Sequence, residues 1–410
     1  MTAVRDLLGL LLAALLAVTA ASAAAQPADS ECATTTTTTS MCTETASTPA
    51  AFDELESIKA KFADTARRVR AANAKLADAS DAYDRPPIEL DLVDIGPFTY
   101  PSKFTDAERA AAVAALVSAF RKVGFALIAG HGVPDPLADE LVAQELRFFR
   151  NPDEYKRVVE KPQNSTVQRG WTRFKPGIAE VYGVVPDGEA ERERFGANIF
   201  PDDMPDLGRA ATWYYRDVER VYATVLRMVS LGLGLAPDHL HRAQGAHRGL
   251  MLLNYAPGLG VHERKSVDAH TDWGMLTVLR LVQHGLELVT MDDEWRSVPP
   301  LNSTFVVNVG DALERITNGE LLSTIHTVRR WRDVERVSIP FFGGQALAAG
   351  DETLIRPLDA LSGGAARFKY PPFKYNEFIA NHWRAFREHG LPKVGETQRG
   401  ASQAADETKR

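Results

Sequence analysis

The chain has 410 residues, of which 45% are apolar and 25% charged, enough apolar material for one large domain or two ordinary ones. Its 47 lysines and arginines against 54 aspartates and glutamates give a formal net charge of -7, which disfavours a protein that works by neutralising nucleic-acid phosphates. The two cysteines, Cys32 and Cys42, both precede the part that reads as folded. Thiolate zinc sites, iron–sulfur clusters, CxxC redox pairs and cysteine nucleophiles are therefore excluded there, and any metal must be held by His, Asp or Glu.

In chain order, Arg5 precedes an apolar stretch from Leu7 to Ala25 that ends in the small-x-small patterns Ala21-Ser22-Ala23 and Ala23-Ala24-Ala25. Residues 1–25 are expected to be a secretory signal peptide, addressing the chain to the endoplasmic reticulum lumen or beyond. The alternatives are an uncleaved anchor, or a cytoplasmic protein with a misassigned start codon. Residues 26–51, with the unbroken run Thr34 to Thr39, read as a disordered tether. Cys32 and Cys42 flank that run and could close a small disulfide loop or stay as thiols. Residues 52–85 read as a charged amphipathic helix. Leu55, Phe62, Val69 and Leu76 recur every seventh residue, with Ile58, Ala72 and Ala79 beside them, and the stripe is expected to pack on its own domain rather than in a coiled coil. Residues 391–410 are polar and read as a disordered tail.

Residues 86–390 read as one α+β domain, divided into a helical part (86–248), a strand-rich core (249–345) and a C-terminal part (346–390). Ile88 to Ile95 alternates as a strand. Thr105 to Glu108 is a capping box opening a helix with Ala110, Val113, Ala114, Val117 and Phe120 as its apolar stripe. A short strand at 124–128 and helices at 135–149 and 208–233 follow. Strands are expected at 249–255, 275–282, 286–290, 304–309, 325–330 and 336–342, then a closing helix at 375–388. Short strands at that spacing suggest a sandwich or barrel.

One constellation in this core carries chemistry. His270 and Asp272 form His-x-Asp, and on an extended strand residues two apart point to the same side and can reach one metal. His326, in a strand-like run 54 residues after Asp272, is a third candidate. Two imidazoles and a carboxylate on one face of a metal leave the other face open, the arrangement of non-haem Fe(II) oxygenases, although zinc accepts the same donors. Ten residues further on, Arg336 and Ser338 share one side of a strand and could clamp the far carboxylate of a dicarboxylate that chelates the metal.

At these residues the chain resembles the isopenicillin N synthase-like Fe(II)/2-oxoglutarate-dependent dioxygenases. The matching stretches are colinear from about Ile88 to Phe378. They include Gly124-Phe125 through Pro134, Asn254 to Pro257, His270 to Thr277, Val307 to Asp311, His326 to Val328 and Arg336 to Phe342. The resemblance implies a distorted double-stranded β-helix, a cupin-like jelly-roll, flanked by helices from the N-terminal half. It implies Fe(2+) on His270, Asp272 and His326, with 2-oxoglutarate and O2 as co-substrates. Arg336, Ser338 and Asn254 would contact 2-oxoglutarate. The family's second Tyr of Asn-Tyr-Tyr-Pro is Ala256 here, and Tyr255 could replace it only with a backbone shift. The implied reaction turns 2-oxoglutarate into succinate and CO2 while a small organic substrate is hydroxylated, desaturated or cyclised. Arg169, Trp171, Arg173, Phe174 and Trp273 are the expected substrate contacts. A monomer acting on a small molecule is expected, without nucleic acid and with no membrane contact beyond an N-terminal anchor. A same-fold oxidase that does not use 2-oxoglutarate, and a non-catalytic secreted binder with a vestigial metal site, are the alternatives.

Overall fold

The N-terminal helix begins where the sequence offers a cap: the Asp53 carboxylate accepts the amide protons of Leu55 and Glu56. In the computed structural model, which describes residues 53–75, 85–163, 165, 167–175, 179–258, 266–329, 334–348, 353–358 and 368–389, that helix is Glu54–Ala74, α1. The expected signal peptide, tether, tail and both cysteines lie outside the described residues. Helices α2 (Asp106–Lys122), α3 (Asp135–Phe149), α4 (Pro205–Gly232), α5 (Asp311–Ile316) and α6 (Tyr375–His389) surround the strands.

The α1 stripe is Ile58, Phe62, Thr65, Val69 and Ala72, buried at alternating steps of four and three. It packs on α6 and against Ala269, Val289, Trp295 and Ile325, so it serves its own domain. Leu76 and Ala79 lie outside the described residues. Helix α2 opens with the expected capping box between Thr105 and Glu108. Its buried face, however, is Ala112, Leu116, Val117, Ala119 and Phe120, while Ala110 and Ala114 are exposed. Alanines fall on several sides of this helix, so the larger Leu116 and Phe120 decide which side turns inward.

The strands are β1 (Leu92–Asp94), β2 (Phe125–Ala129), β3 (Gly170–Lys175), β4 (Ala179–Val184), β5 (Arg248–Ala256), β6 (Ser266–His270), β7 (Leu276–Arg280), β8 (Leu286–Val289), β9 (Trp295–Ser297), β10 (Phe305–Val309), β11 (His326–Arg329) and β12 (Arg336–Ala346), with a small β13 (Leu354–Ile355) and β14 (Phe373–Lys374) pair. They form a large sheet in the order β1-β2-β10-β7-β12-β5-β4-β3 and a small sheet in the order β6-β11-β8-β9. Among the described residues only β1 and β2 pair parallel in the large sheet. Between the sheets lies an apolar layer of Leu90, Phe125, Leu281, Leu286, Leu288, Val298 and Val306. The outer face of the large sheet is covered by α3 and α4, with Tyr215 and Tyr222 of α4 against Phe341 at 5.2 and 5.6 Å. This is the jelly-roll, α+β architecture.

The N-terminal half is less helical than its composition suggests. It supplies β1 to β4, and the β3–β4 hairpin occupies a stretch with no expected helix or strand. Its Arg173 and Glu180 suit a sheet edge, where charge discourages further strand pairing. The strand expected over Ile88 to Ile95 is confined to Leu92–Asp94, with an isolated bridge from Pro87 to Ser297.

Candidate metal centre

His270 is the last residue of β6 and His326 the first of β11, and the ladder between those strands sets them directly opposite one another. Their rings lie 4.4 Å apart. Asp272 Oδ1 is 3.8 Å from His270 Nε2 and 3.7 Å from His326 Nε2. Among the described residues these three form the one group of His, Cys, Asp or Glu whose donor atoms converge, all within 4.8 Å of one another. The expected cause of the convergence needs correction, however. Strand β6 stops at His270, so Asp272 stands in the irregular segment that follows and is not aimed by strand alternation.

Hydrogen bonds aim it instead. Asp272 Oδ2 accepts from Thr277 Oγ1 at 2.6 Å and from Asn308 Nδ2 at 2.8 Å, and its main-chain oxygen accepts the Asp311 amide at 2.7 Å. Oδ1 is thereby left toward the imidazoles. Each imidazole is fixed in the same manner. Nδ1 of His270 lies 2.8 Å from the Asp268 carbonyl and Nδ1 of His326 lies 3.0 Å from the Thr324 carbonyl. A carbonyl only accepts, so Nδ1 carries the proton and each Nε2 presents its lone pair to the common point. The Phe125 ring backs His326 edge-on at 5.6 Å.

Burial, joined by the neighbouring His326, pushes His270 down to about 4, so it is neutral at pH 7. Burial alone would raise Asp272, but the two imidazoles and the Asn308 and Thr277 donors outweigh it and hold the carboxyl below its usual range. Two imidazoles and one carboxylate, each anchored by its other heteroatom, fit an Fe(II) ion with an open face. Thr277 and Asn308 escaped the sequence reading as functional residues. Both sit in stretches that carried the resemblance, yet nothing in spacing alone told their side chains from strand packing.

Arg336 and Ser338 lie opposite Ala256 and Asn254 in the β12–β5 ladder, so all four share one face of the large sheet. The guanidinium donates from Nη1 to Ser338 Oγ at 3.1 Å and from Nε to the His284 carbonyl at 3.4 Å. A Cβ at Gly285 would stand 3.3 Å from Arg336 Nε, so the guanidinium lies beside β8. Three residues along, Leu288 pairs with His326. That offset is roughly 10 Å, the reach of a five-carbon dicarboxylate with one coordination bond and one hydrogen bond at its ends.

Several expected contacts are placed elsewhere. Tyr255 alternates to the helix side of the sheet, where its ring stacks on Phe149 at 5.0 Å and its hydroxyl donates to Glu335. It therefore does not replace the missing tyrosine at position 256. Trp171 and Arg173 pair with Tyr182 and Glu180 and sit on that same side. Trp171 Nε1 donates to Glu180 at 2.7 Å, and Arg173 pairs with Asp153. Trp273 packs edge-on against Trp383 of α6 at 4.8 Å. Arg169 is half-buried and donates to the Ala197 carbonyl at 2.9 Å. The side chain of Phe174 lies outside the described residues.

Residues 247–345 match the model of the 2OG-Fe(II) oxygenase superfamily, and residues 90–206 match the N-terminal model of the non-haem dioxygenase in morphine synthesis. The chain is 31% identical over 244 residues to the protein DMR6-like oxygenase 1 of Arabidopsis thaliana, covering 57% of this chain and 68% of that one. It is 25% identical over 333 residues to the 2-oxoglutarate-Fe(II) type oxidoreductase ppzC of Metarhizium majus, covering 72% and 87%. In structure it resembles the dioxygenase for auxin oxidation of rice, with a TM-score of 0.59, 27% identity and coverage of 75% of this chain and 98% of that one. With two matched models in family order around a His-Asp-His centre, the chain belongs to the 2OG-Fe(II) oxygenase superfamily: it is a non-haem Fe(II) enzyme that couples oxidative decarboxylation of 2-oxoglutarate with oxidation of a small organic molecule.

Proposed function

We propose that His270, Asp272 and His326 hold the iron, that Arg336 and Ser338 hold the far carboxylate of 2-oxoglutarate beside Asn254, and that the substrate enters over the β3–β4 edge. The observation that carries this reading is the register that sets His270 opposite His326 while Arg336 and Ser338 share a face with Asn254. Iron bound there would supply O2 activation, O2 being the four-electron oxidant and 2-oxoglutarate and the substrate each giving up two electrons. His270 and His326 keep their Nδ1 protons on main-chain carbonyls, so only Nε2 is available as a donor. Arg336 gives the dicarboxylate two parallel donors and thereby one orientation. The apolar layer of Phe125, Leu286 and Leu288 limits water on the side away from the opening.

Substrate contacts fall to residues other than Trp171 and Arg173. Val181 and Thr172 follow Asn254 across the β5, β4 and β3 ladders and so continue its face. Thr172 also accepts a hydrogen bond from Gln168 at 2.8 Å. These are neutral groups, which favours an uncharged or largely apolar part of a small substrate over the reacting centre.

Anaerobic titration of the full chain with Fe(II) and 2-oxoglutarate tests the assignment. The metal-to-ligand charge-transfer band is expected in the wild type and is expected to vanish in His270→Ala. A band that survives that substitution overturns the ligand set. Alanine at 256 stands directly opposite Arg336, where the family carries a tyrosine, so the far end of 2-oxoglutarate is left to Arg336 and Ser338. Succinate is expected to form in step with substrate consumption.

A further inference from the structure

Asp311, the first residue of α5, gathers contacts from four parts of the chain. Its Oδ2 accepts from Thr271 Oγ1 at 3.0 Å and faces His382 Nε2 of α6 at 3.2 Å. Its Oδ1 accepts from Ser323 Oγ at 2.5 Å and pairs with Lys61 Nζ of α1 at 2.7 Å. Its amide donates to the Asp272 carbonyl, and the next amide, of Ala312, donates to the Gly274 carbonyl at 3.1 Å. Thr271 lies between two of the expected iron ligands, and Ser323 adjoins Thr324, whose carbonyl anchors the third. One buried carboxylate thus braces both ligand-bearing segments.

That brace needs a counter-charge. Asp311 is 1% exposed, and an isolated carboxylate there would be costly to hold ionised. Lys61 supplies the charge and also pairs with Glu314, whose other oxygen accepts the Ser323 amide at 3.2 Å. Lys61 stays protonated: burial works against it, but Asp311 and Glu314 outweigh burial and push its pKa up. The lysine is held in place by α1 itself, through Phe62 near His382 and Lys59 paired with Glu388. Residues 54–74 lie outside both matched family models. The Val307 to Asp311 stretch had carried a resemblance without a role for its aspartate.

We propose that Lys61 and Asp311 are positioning residues for the metal centre, and that α1 is a built-in part of that centre's support rather than a peripheral appendage. The inference rests on the assignment of His270, Asp272 and His326 as the iron ligands. An ammonium withdrawn from Asp311 leaves its carboxylate to recruit the Thr271 and Ser323 hydroxyls differently, and both ligand segments lose their fixed spacing.

The test uses the full chain with Lys61→Met, Lys61→Arg and Ser323→Ala, each measured for Fe(II) affinity by competition with a chromophoric chelator. Apo proteins are also followed by amide hydrogen exchange at residues 271–275 and by thermal melting. Lys61→Met is expected to weaken Fe(II) binding about 10-fold or more and to speed exchange at 271–275, with Lys61→Arg restoring most of both. Ser323→Ala, which leaves α1 untouched, is expected to weaken Fe(II) binding in the same direction. Should Lys61→Met lower only the melting temperature while the folded protein keeps wild-type iron affinity, the lysine is a tether and the inference falls. If Lys61→Met does not fold, wild-type iron affinity in Ser323→Ala overturns it. His270→Ala serves as the separating control: iron affinity retained there sinks the ligand assignment itself, whereas iron lost in His270→Ala and kept in Lys61→Met sinks only this inference.

Discussion

Thr277→Val removes one atom's worth of chemistry from the metal centre. The hydroxyl of Thr277 donates to Asp272 Oδ2 at 2.6 Å in a buried site, and valine replaces it with a methyl group of similar size without disturbing the β-branched strand position. A hydrogen bond to a charged acceptor contributes about 1.5–3 kcal/mol. Asn308 continues to hold the same oxygen at 2.8 Å, so the carboxylate keeps one of its two donors and the lower end of that range applies. About 1.5 kcal/mol corresponds to roughly a 10-fold loss of Fe(II) affinity. The carboxyl also loses one of the donors that keep its pKa down, so protons compete better with iron and the affinity loss should widen as the pH falls. Chelator competition at several pH values reads both effects, and a Thr277→Val, Asn308→Ala double-mutant cycle reads their coupling. Wild-type iron affinity in Thr277→Val, with stability alone reduced, would refute the idea that these donors aim Oδ1.

Arg336→Lys is expected to weaken 2-oxoglutarate binding at least about 10-fold at saturating iron, since a point charge replaces a planar fork. Tyr255→Phe is expected to leave that affinity unchanged because the hydroxyl bonds Glu335 on the far side of the sheet; isothermal titration of the two variants checks both. Gly285 has φ of 128° and its absent Cβ would meet the Arg329 carbonyl at 2.4 Å, so Gly285→Ala should cost about 1–3 kcal/mol in a denaturant melt and misplace the guanidinium. The His270 imidazole of the apo protein should stay neutral as the pH falls from 7 to 5: a free imidazole begins to protonate near pH 6.5, but burial and the neighbouring His326 hold His270 down to about 4. Its ring-proton NMR shift reads this, and a titration midpoint at about pH 6 or above would contradict it.

What the sequence disclosed follows from which interactions are local. Strand periods and the capping box at Thr105 are short-range, and the strands expected at 249–255, 304–309 and 336–342 form where alternation or apolar runs put them, within a residue at their starts. His-x-Asp was legible as a pair, yet for the wrong cause: β6 ends at His270, and Asp272 is aimed by Thr277 and Asn308, on strands that meet only in the folded sheet. Tyr255, Trp171 and Arg173 illustrate the same limit from the opposite side. Each lies beside a pocket-facing residue in sequence, and a period of two sends it to the helix layer once the register is fixed. An aromatic or arginine near a motif is therefore as well suited to anchoring α3, through Phe149, or its following turn, through Asp153, as to touching substrate. The face a strand residue takes depends on the register with a neighbour some 80 residues away, as between Ser338 and Asn254, and a window of ten residues contains no information about that pairing. Lys61 was invisible as anything but a surface lysine for the same reason. Its partner Asp311 is 250 residues distant, at the start of α5, and only the folded chain brings the two charges together.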